Sequence, residues 1–419
     1  MLKVRQHFDR PVVENIAETV LSELKSLQLE TQIQPGQTVA VTVGSRGIAN
    51  ITTIIKTTVD FLKSLDAIPL IIPAMGSHGG GTAEGQRQIV EGYGLTEDFL
   101  GCEIRSSMET VVVAETPQGI PVHFDKNAFE ADHVLVCNRI KAHTRFIGDI
   151  ESGLHKMMLI GLGKHAGAKI YHQAIYNYSF DEIIRAVAEQ VLQKCSVVAG
   201  LAIVENAYDE TGLIRAVAPA DFYEQERKLC RQSKEWLPQL PFADVDVLIV
   251  DRIGKNISGT GLDTNIVGRK YNDHEAREGD SVRVNRIFVR SLTEETHGNG
   301  TGIGIAEFTN KRTIEQIDQQ VTAVNCITGG HPEAAMLPIS FVTDVEVLEA
   351  ACSTVGLKSA AELRLTHISD TLHLSELLVS EAYLPEFEGR EELEIISGPE
   401  SLWLESDGNL RNVINHFTP

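Results

Sequence analysis

Thr38-Val39-Ala40-Val41-Thr42-Val43 is an unbroken run of β-branched and small apolar residues, ending on Gly44-Ser45-Arg46-Gly47 before a helical pattern from about Ile48 to Leu65. A short apolar run closed by a glycine turn and followed by a 3.6-residue period predicts a buried strand feeding a helix. The unit repeats at once: a strand at Ile68 to Pro73, the turn Gly76-Ser77-His78-Gly79-Gly80-Gly81, and a short helix from Thr82. Strands at Thr110 to Ala114, His133 to Cys137 and Val197 to Val204, with a helix around Phe180 to Leu192, carry the rhythm on. Strands alternating with helices build a mostly parallel, covered sheet, so the fold class is α/β.

The stretch Glu235 to Phe242, with Pro238 and Pro241, interrupts this rhythm and predicts a domain boundary. Beyond it, strands at Val245 to Val250, Arg286 to Val289 and Glu376 to Val379, and helices at Thr313 to Val324 and Val345 to Ala351, form a second α/β domain. The expected layout is an N-terminal domain over 1–241 and a second over 242–402 closing a cleft that holds the active site. A short helix at Asn409 to His416, within 403–419, is expected to return to the first domain.

The chain carries 37 Lys and Arg against 58 Asp and Glu, a net charge of -21. That field repels nucleic acid and anionic lipid surfaces, so the expected partner is a small molecule reaching a local positive pocket. Six cysteines show neither paired spacing nor a zinc pattern, which predicts a reducing, cytoplasmic setting. The first twenty residues mix charged and apolar side chains, so neither a signal peptide nor a membrane span is expected.

Open α/β sheets bind ligands outside the carboxyl ends of their strands. Three segments follow such ends. The first offers Arg46, whose planar fork suits a carboxylate. The second offers Gly76, Ser77 and His78, where glycine lets backbone approach a ligand closely. The third, Arg139 to His172, holds Arg139, Lys141, Arg145, Lys156, Lys164 and Lys169 against Asp149 and Glu151, with His143, His155, His165 and His172. It is a basic island in an acidic protein. Its middle, Met157 to Gly163, is too apolar for a wholly solvated loop. Cys137, closing a strand, reads as packing and not as a nucleophile.

Taken in order and spacing, these elements resemble the nickel-pincer lactate racemase family across roughly the first 175 residues. Arg46 is followed by Gly76-Ser77-His78 with Thr82 and Glu84, then His143, then Gly153, Lys156, the apolar run to Ile160, Gly161 and His172. The resemblance implies a racemase or epimerase of a small 2-hydroxy acid, lactate-like or a sugar acid, working by hydride transfer through a 2-keto acid. It implies a nickel-pincer nucleotide joined to Lys156, with His172 as its metal ligand, and cofactor-biosynthesis proteins as partners. It implies His78 and His143 as paired acid and base, Arg46 on the substrate carboxylate, and Gly76 and Ser77 along the cofactor. In the second domain, Lys255 in Gly254-Lys255-Asn256 is a further candidate for substrate contact. Val43 stands where lactate-type members place an aspartate, and three extra residues separate His143 from Lys156, which leaves the substrate open between lactate and another 2-hydroxy acid.

Two other readings compete. Gly161-Leu162-Gly163-Lys164-His165-Ala166-Gly167 after an apolar run suggests a nicotinamide-dependent dehydrogenase, although its spacing is GxGxxxG and Asp181 opens a helix where a ribose contact requires a strand end. The third reading is a non-catalytic protein that carries the cofactor or an anionic metabolite.

Overall fold

The computed structural model describes residues 1–45 and 47–417. It contains two compact units, one of Arg10–Trp236 and one of Met1–Asp9 with the chain from Leu237 onward.

In the Arg10–Trp236 unit a six-stranded sheet runs in the order Glu103–Ile104, Ile68–Pro73, Thr38–Val43, His133–Arg139, Val197–Glu205, Thr211–Val217. The first five are parallel and the last is antiparallel. The period of two divides each strand between two cores. Val39, Val41, Leu135 and Leu201 face the helices Ile16–Ser26 and Ile51–Ser64, while Ala40, Ile72, Val136 and Ala202 face Met158, Leu159, Ile184 and Val187. A sheet covered on both sides leaves only its ends for loops, so the turns after Val43, Pro73 and Arg139 open on one carboxyl edge.

Thr110–Glu115 is a strand, but outside this sheet: it pairs antiparallel with Pro121–Asp125 as a separate hairpin. The intervening turn supplies the reason, since Gly119 takes a positive φ of 75° and Thr116 closes on Ile120 through a backbone bond of 2.9 Å.

The second unit holds an eight-stranded sheet in the order Ile339–Phe341, Phe308–Asn310, Arg283–Val289, Asp244–Val250, Leu365–Ile368, Glu376–Val379, Leu2–Gln6, Leu393–Ser397. The first five strands are parallel and the last three join antiparallel. The architecture is α/β with mostly parallel mixed sheets.

The division of the chain differs from the sequence expectation of 1–241 and 242–402 in three places. Leu2–Gln6 pairs with Glu376–Val379 and Leu393–Ser397, so the N-terminus belongs to the second unit. The boundary falls between Trp236 and Leu237. The segment 403–419, expected to complete the first domain, groups with the second unit instead, where Val413 N–H donates to Asp251 at 2.6 Å. Among its described residues only Ile414–Phe417 is helical. The expected helix Thr313 to Val324 is two helices, Lys311–Gln316 and Gln319–Thr328. Asp318 between them accepts the N–H groups of Gln320 and Val321, capping the second helix and ending the first.

Candidate functional site

The segment that carries Lys156 is helical in pieces. A turn at Leu154–Lys156 runs into a π-helical turn, Met157–Gly161, and then into the helix Lys164–Ala174, which bears His172. Such wide turns are strained and are found mostly at functional positions. Met157, Met158 and Leu159 are buried, which explains the apolar run, while Lys156 and Ile160 are half-buried at its margin.

Three of the expected site residues gather around one ring that the sequence reading did not single out. Phe146 stacks on His143 with centroids 4.1 Å apart and planes 11° apart. Its centroid is 5.6 Å from the Lys156 ammonium and 6.1 Å from the His172 ring. Phe180 closes the stack, 3.8 Å from Phe146. No short-range spacing rule connects Phe146 to Lys156 or His172; the signal available was an aromatic three residues after His143 in an otherwise basic stretch.

Electrostatics at this cluster favour a neutral imidazole. Burial, then the charges of Lys156 and Arg145, push His172 down to about 4, so its ring is unprotonated at neutral pH. His143 accepts the backbone N–H groups of Arg145 and Phe146 at Nδ1, each at 3.1 Å. Its neutral form therefore carries the proton on Nε2.

Buried carboxylates hold the segment in place. Glu226, on the helix Phe222–Glu235, is fully buried, accepts from the His155 N–H at 3.1 Å and pairs with His155 Nδ1 at 2.6 Å. Gly153 lets that carboxylate in: a Cβ there would lie 2.2 Å from its Oε1. Glu151, also buried, accepts from the His143 N–H at 2.8 Å and pairs with Lys234 of the same helix at 2.7 Å. Asn138 donates to the Gly153 carbonyl at 2.7 Å. The backbone just before Lys156 and that at His143 are thus tied to a strand end and one helix.

The His78 turn reaches the same edge through glycine. Gly76 takes φ 60°, and a Cβ there would lie 2.8 Å from Ile160 Cγ2, so only glycine lets the turn lie against the Lys156 segment. Gly76 N–H meets the Gly161 carbonyl at 3.4 Å. His78 Nδ1 hydrogen-bonds the Ser45 hydroxyl, which joins the first and second turns. Gln86 donates to the carbonyls of Gly76 at 2.9 Å and His78 at 3.3 Å. Ser77 is half-buried in this turn.

Arg46 lies outside the described residues. Lys255 lies in the second unit, where its ammonium donates to the Gly259 carbonyl at 2.6 Å and the Asn325 side chain at 2.8 Å. The glycine turn at 161–167 follows a π-helical turn and not a strand, and its glycines serve packing: a Cβ at Gly163 would lie 2.2 Å from the Leu159 carbonyl oxygen. The geometry a dinucleotide fingerprint needs is absent from this described turn. Burial pushes the Cys137 thiol up to about 12, in keeping with a packing role. Among the described residues no group of three or more His, Cys, Asp or Glu side chains is placed to hold a metal ion, and no helix is long and apolar enough to cross a membrane.

Residues 4–182 match the lactate racemase N-terminal domain. Among solved structures, the lactate racemase apoprotein from Thermoanaerobacterium thermosaccharolyticum superposes with a TM-score of 0.51 at 12% identity, covering 88% of this chain and 98% of that one. A Thermotoga maritima protein superposes with a TM-score of 0.52 at 13% identity, covering 78% and 84%. No curated protein matches the chain. At these identities the structural likeness speaks for the fold, and the domain match for the lactate racemase-like character of the first part of the chain.

Proposed function

We propose that this chain, lactate racemase-like over residues 4–182, is a racemase or epimerase of a small 2-hydroxy acid that carries a nickel-pincer nucleotide on Lys156. The observation that carries this reading is the gathering of His143, Lys156 and His172 around Phe146. The side chains fit the group. Lys156 offers an amine at the margin of a buried helix, and His172 offers an imidazole that burial keeps neutral, as a metal donor must be. When bound, the cofactor supplies a reversible hydride acceptor, so that the carbon–hydrogen bond breaks without a free carbanion.

The remaining work falls to the chain. Arg46 is assigned to the substrate carboxylate by its place in the chain and its planar fork. His78 hydrogen-bonds the Ser45 hydroxyl through Nδ1, and in the tautomer with its proton on Nδ1 its Nε2 is able to take the proton of the substrate hydroxyl. His143 can give a proton from Nε2 to an oxygen as the imidazolium, with Nδ1 protonated in place of its two backbone N–H contacts, and is then left as a neutral ring. Inversion needs one ring on each face of a planar keto intermediate, and two histidines in complementary states supply that for one direction. For the return the roles exchange: His78, now the imidazolium, gives up the proton it took, and the neutral His143 takes one at Nε2. The Lys255 ammonium meets two oxygens, which fix its direction in the second unit.

The test is to produce the protein with the proteins that make the cofactor and to measure its intact mass, nickel content and action on a panel of single-enantiomer hydroxy acids. An adduct on Lys156, lost in Lys156→Ala, and loss of optical purity for at least one acid are expected. His78→Ala and His143→Ala should keep the adduct while turnover falls by about 10²- to 10⁴-fold. An unmodified Lys156 without nickel overturns the reading, and stoichiometric nickel without exchange at carbon in any acid turns it into a carrier.

A further inference from the structure

Eight residues beyond Lys156 stands a second lysine in a different setting. Lys164 opens the helix that bears His172, and it is fully buried with φ 55°, a left-handed conformation uncommon outside glycine. Its ammonium donates to the Pro73 carbonyl, where the strand Ile68–Pro73 ends, lies 3.0 Å from the buried Asp125 carboxylate, and donates to Gln86 Oε1 at 3.3 Å. Burial lowers the pKa of Lys164 and raises that of Asp125, so each group depends on the other for its charge.

The contact with Gln86 is directional. An amide side chain can present oxygen or nitrogen in either direction, and the two ends have nearly the same shape. A cation on one side takes the oxygen, which turns the NH₂ toward the glycine turn, where it holds the carbonyls of Gly76 and His78. Without the lysine the amide loses that preference, and the turn loses the orientation of the side chain that holds its Gly76 and His78 carbonyls.

We propose that Lys164 is a positioning residue, which through Gln86 fixes the turn bearing His78 relative to the helix bearing His172. Asp125 completes the device by holding the buried ammonium, and it caps its own helix by accepting from Ala128 N–H at 2.8 Å. The proposal rests on the racemase reading only for what His78 does in catalysis; the coupling itself is a property of the polypeptide. A purely stabilising ion pair would behave differently, because replacing both charges of a buried pair by neutral groups of similar size is often harmless to stability.

Two variants test it. Lys164→Met with Asp125→Asn removes the buried charges together and leaves an oxygen to cap the 126–130 helix. Gln86→Met keeps the ion pair and removes only the amide. The first readout is the ¹H–¹³C shift of the His78 ring at fixed pH in protein free of cofactor, assigned by its loss in His78→Gln. Both variants should move that signal while the rings of His133 and His331, remote in the chain, keep theirs and the melting curve stays cooperative. The second readout, on protein carrying the Lys156 adduct, is a fall in kcat on the order of tenfold to a hundredfold with KM changed less than about threefold, as expected when a reacting group is misplaced by a fraction of an ångström to one ångström. A His78 signal unmoved in both folded variants overturns the proposal. If the wild-type chain never gains the adduct, the functional reading fails, and the ring shift still decides the coupling.

Discussion

The two sheets of this protein end in very different ways. At the carboxyl edge of the Arg10–Trp236 sheet, His143, Lys156 and His172 surround the Phe146 ring, and the Gly76 turn lies against the Lys156 segment. At the corresponding edge of the second sheet, Asp251 and Arg290, each directly after a parallel strand, are buried and bonded to each other. Arg290 also meets Asp344 at 2.9 Å, Asn412 at 2.9 Å and the Leu410 carbonyl, while His367 meets Asp251 at 2.7 Å. The chain near its C-terminus thus seals the second edge with the polar groups that elsewhere would receive a ligand. A strand end is where an open α/β sheet can bind, and whether it does depends on whether its polar groups are already consumed.

The sharpest way to break this contrast is Arg290→Met. It takes the arginine from the buried Asp251 and one of two arginines from Asp344, which keeps Arg312 at 2.8 Å, and should cost about 3–5 kcal/mol in a denaturant titration, confined to the transition of the second unit. A loss below about 1 kcal/mol would mean that the sealed edge is not held by these charges. Next comes Glu226→Gln at the first edge, where one amide oxygen must replace a carboxylate serving two donors of His155; about 2–3 kcal/mol is expected. The same variant should reduce the fraction of Lys156 that carries the adduct, measured by intact mass.

Phe146→Ala should cost less, about 1–2 kcal/mol, because the ring is only half-buried. Its larger effect should be on function, through loss of the surface on which His143 rests. A retained adduct with unchanged turnover would remove Phe146 from the site. The smallest effect lies in the turn between the strands Val197–Glu205 and Thr211–Val217. A hydrogen bond from Arg10, then one from Asn206, holds Glu210 down to about 2 against an ordinary 4.5. The folded value lies below the unfolded one, so its contribution is full above pH 4.5 and is lost as pH falls toward 2. Acid unfolding followed by circular dichroism should be slightly shallower over that window in Glu210→Gln than in the parent.

Much of the first edge was legible in the residues. The strands at Thr38–Val43 and Ile68–Pro73 fall where β-branched runs predict them, and the glycine turns follow because only glycine tolerates the positive φ and close approach found at Gly76. The apolar middle of the basic segment does pack inside. Phe146, Glu226 and Gln86 escaped notice for a common reason. Each acts through a partner from another element, and an aromatic, a helical glutamate and a helical glutamine look the same whether they face solvent or a site. The three misplacements in domain assignment have a similar origin. Leu2–Gln6 alternates like any half-exposed strand, and nothing within it names a partner more than 370 residues away.

By itself, then, the order of residues determined what local sterics and hydrophobic periodicity can determine: strand, turn and helix in alternation, glycine where backbone crowds, and a basic stretch that had to fold partly inward. Tertiary structure alone decided which of two lysines, eight positions apart, sits beside an aromatic ring and which is locked in a carboxylate pocket. It also decided that one sheet edge is built from loops and the other from sealed charge. Those outcomes depend on burial and on distances between elements remote in the chain, and the energy of a charge is set by what surrounds it, not by its neighbours in sequence.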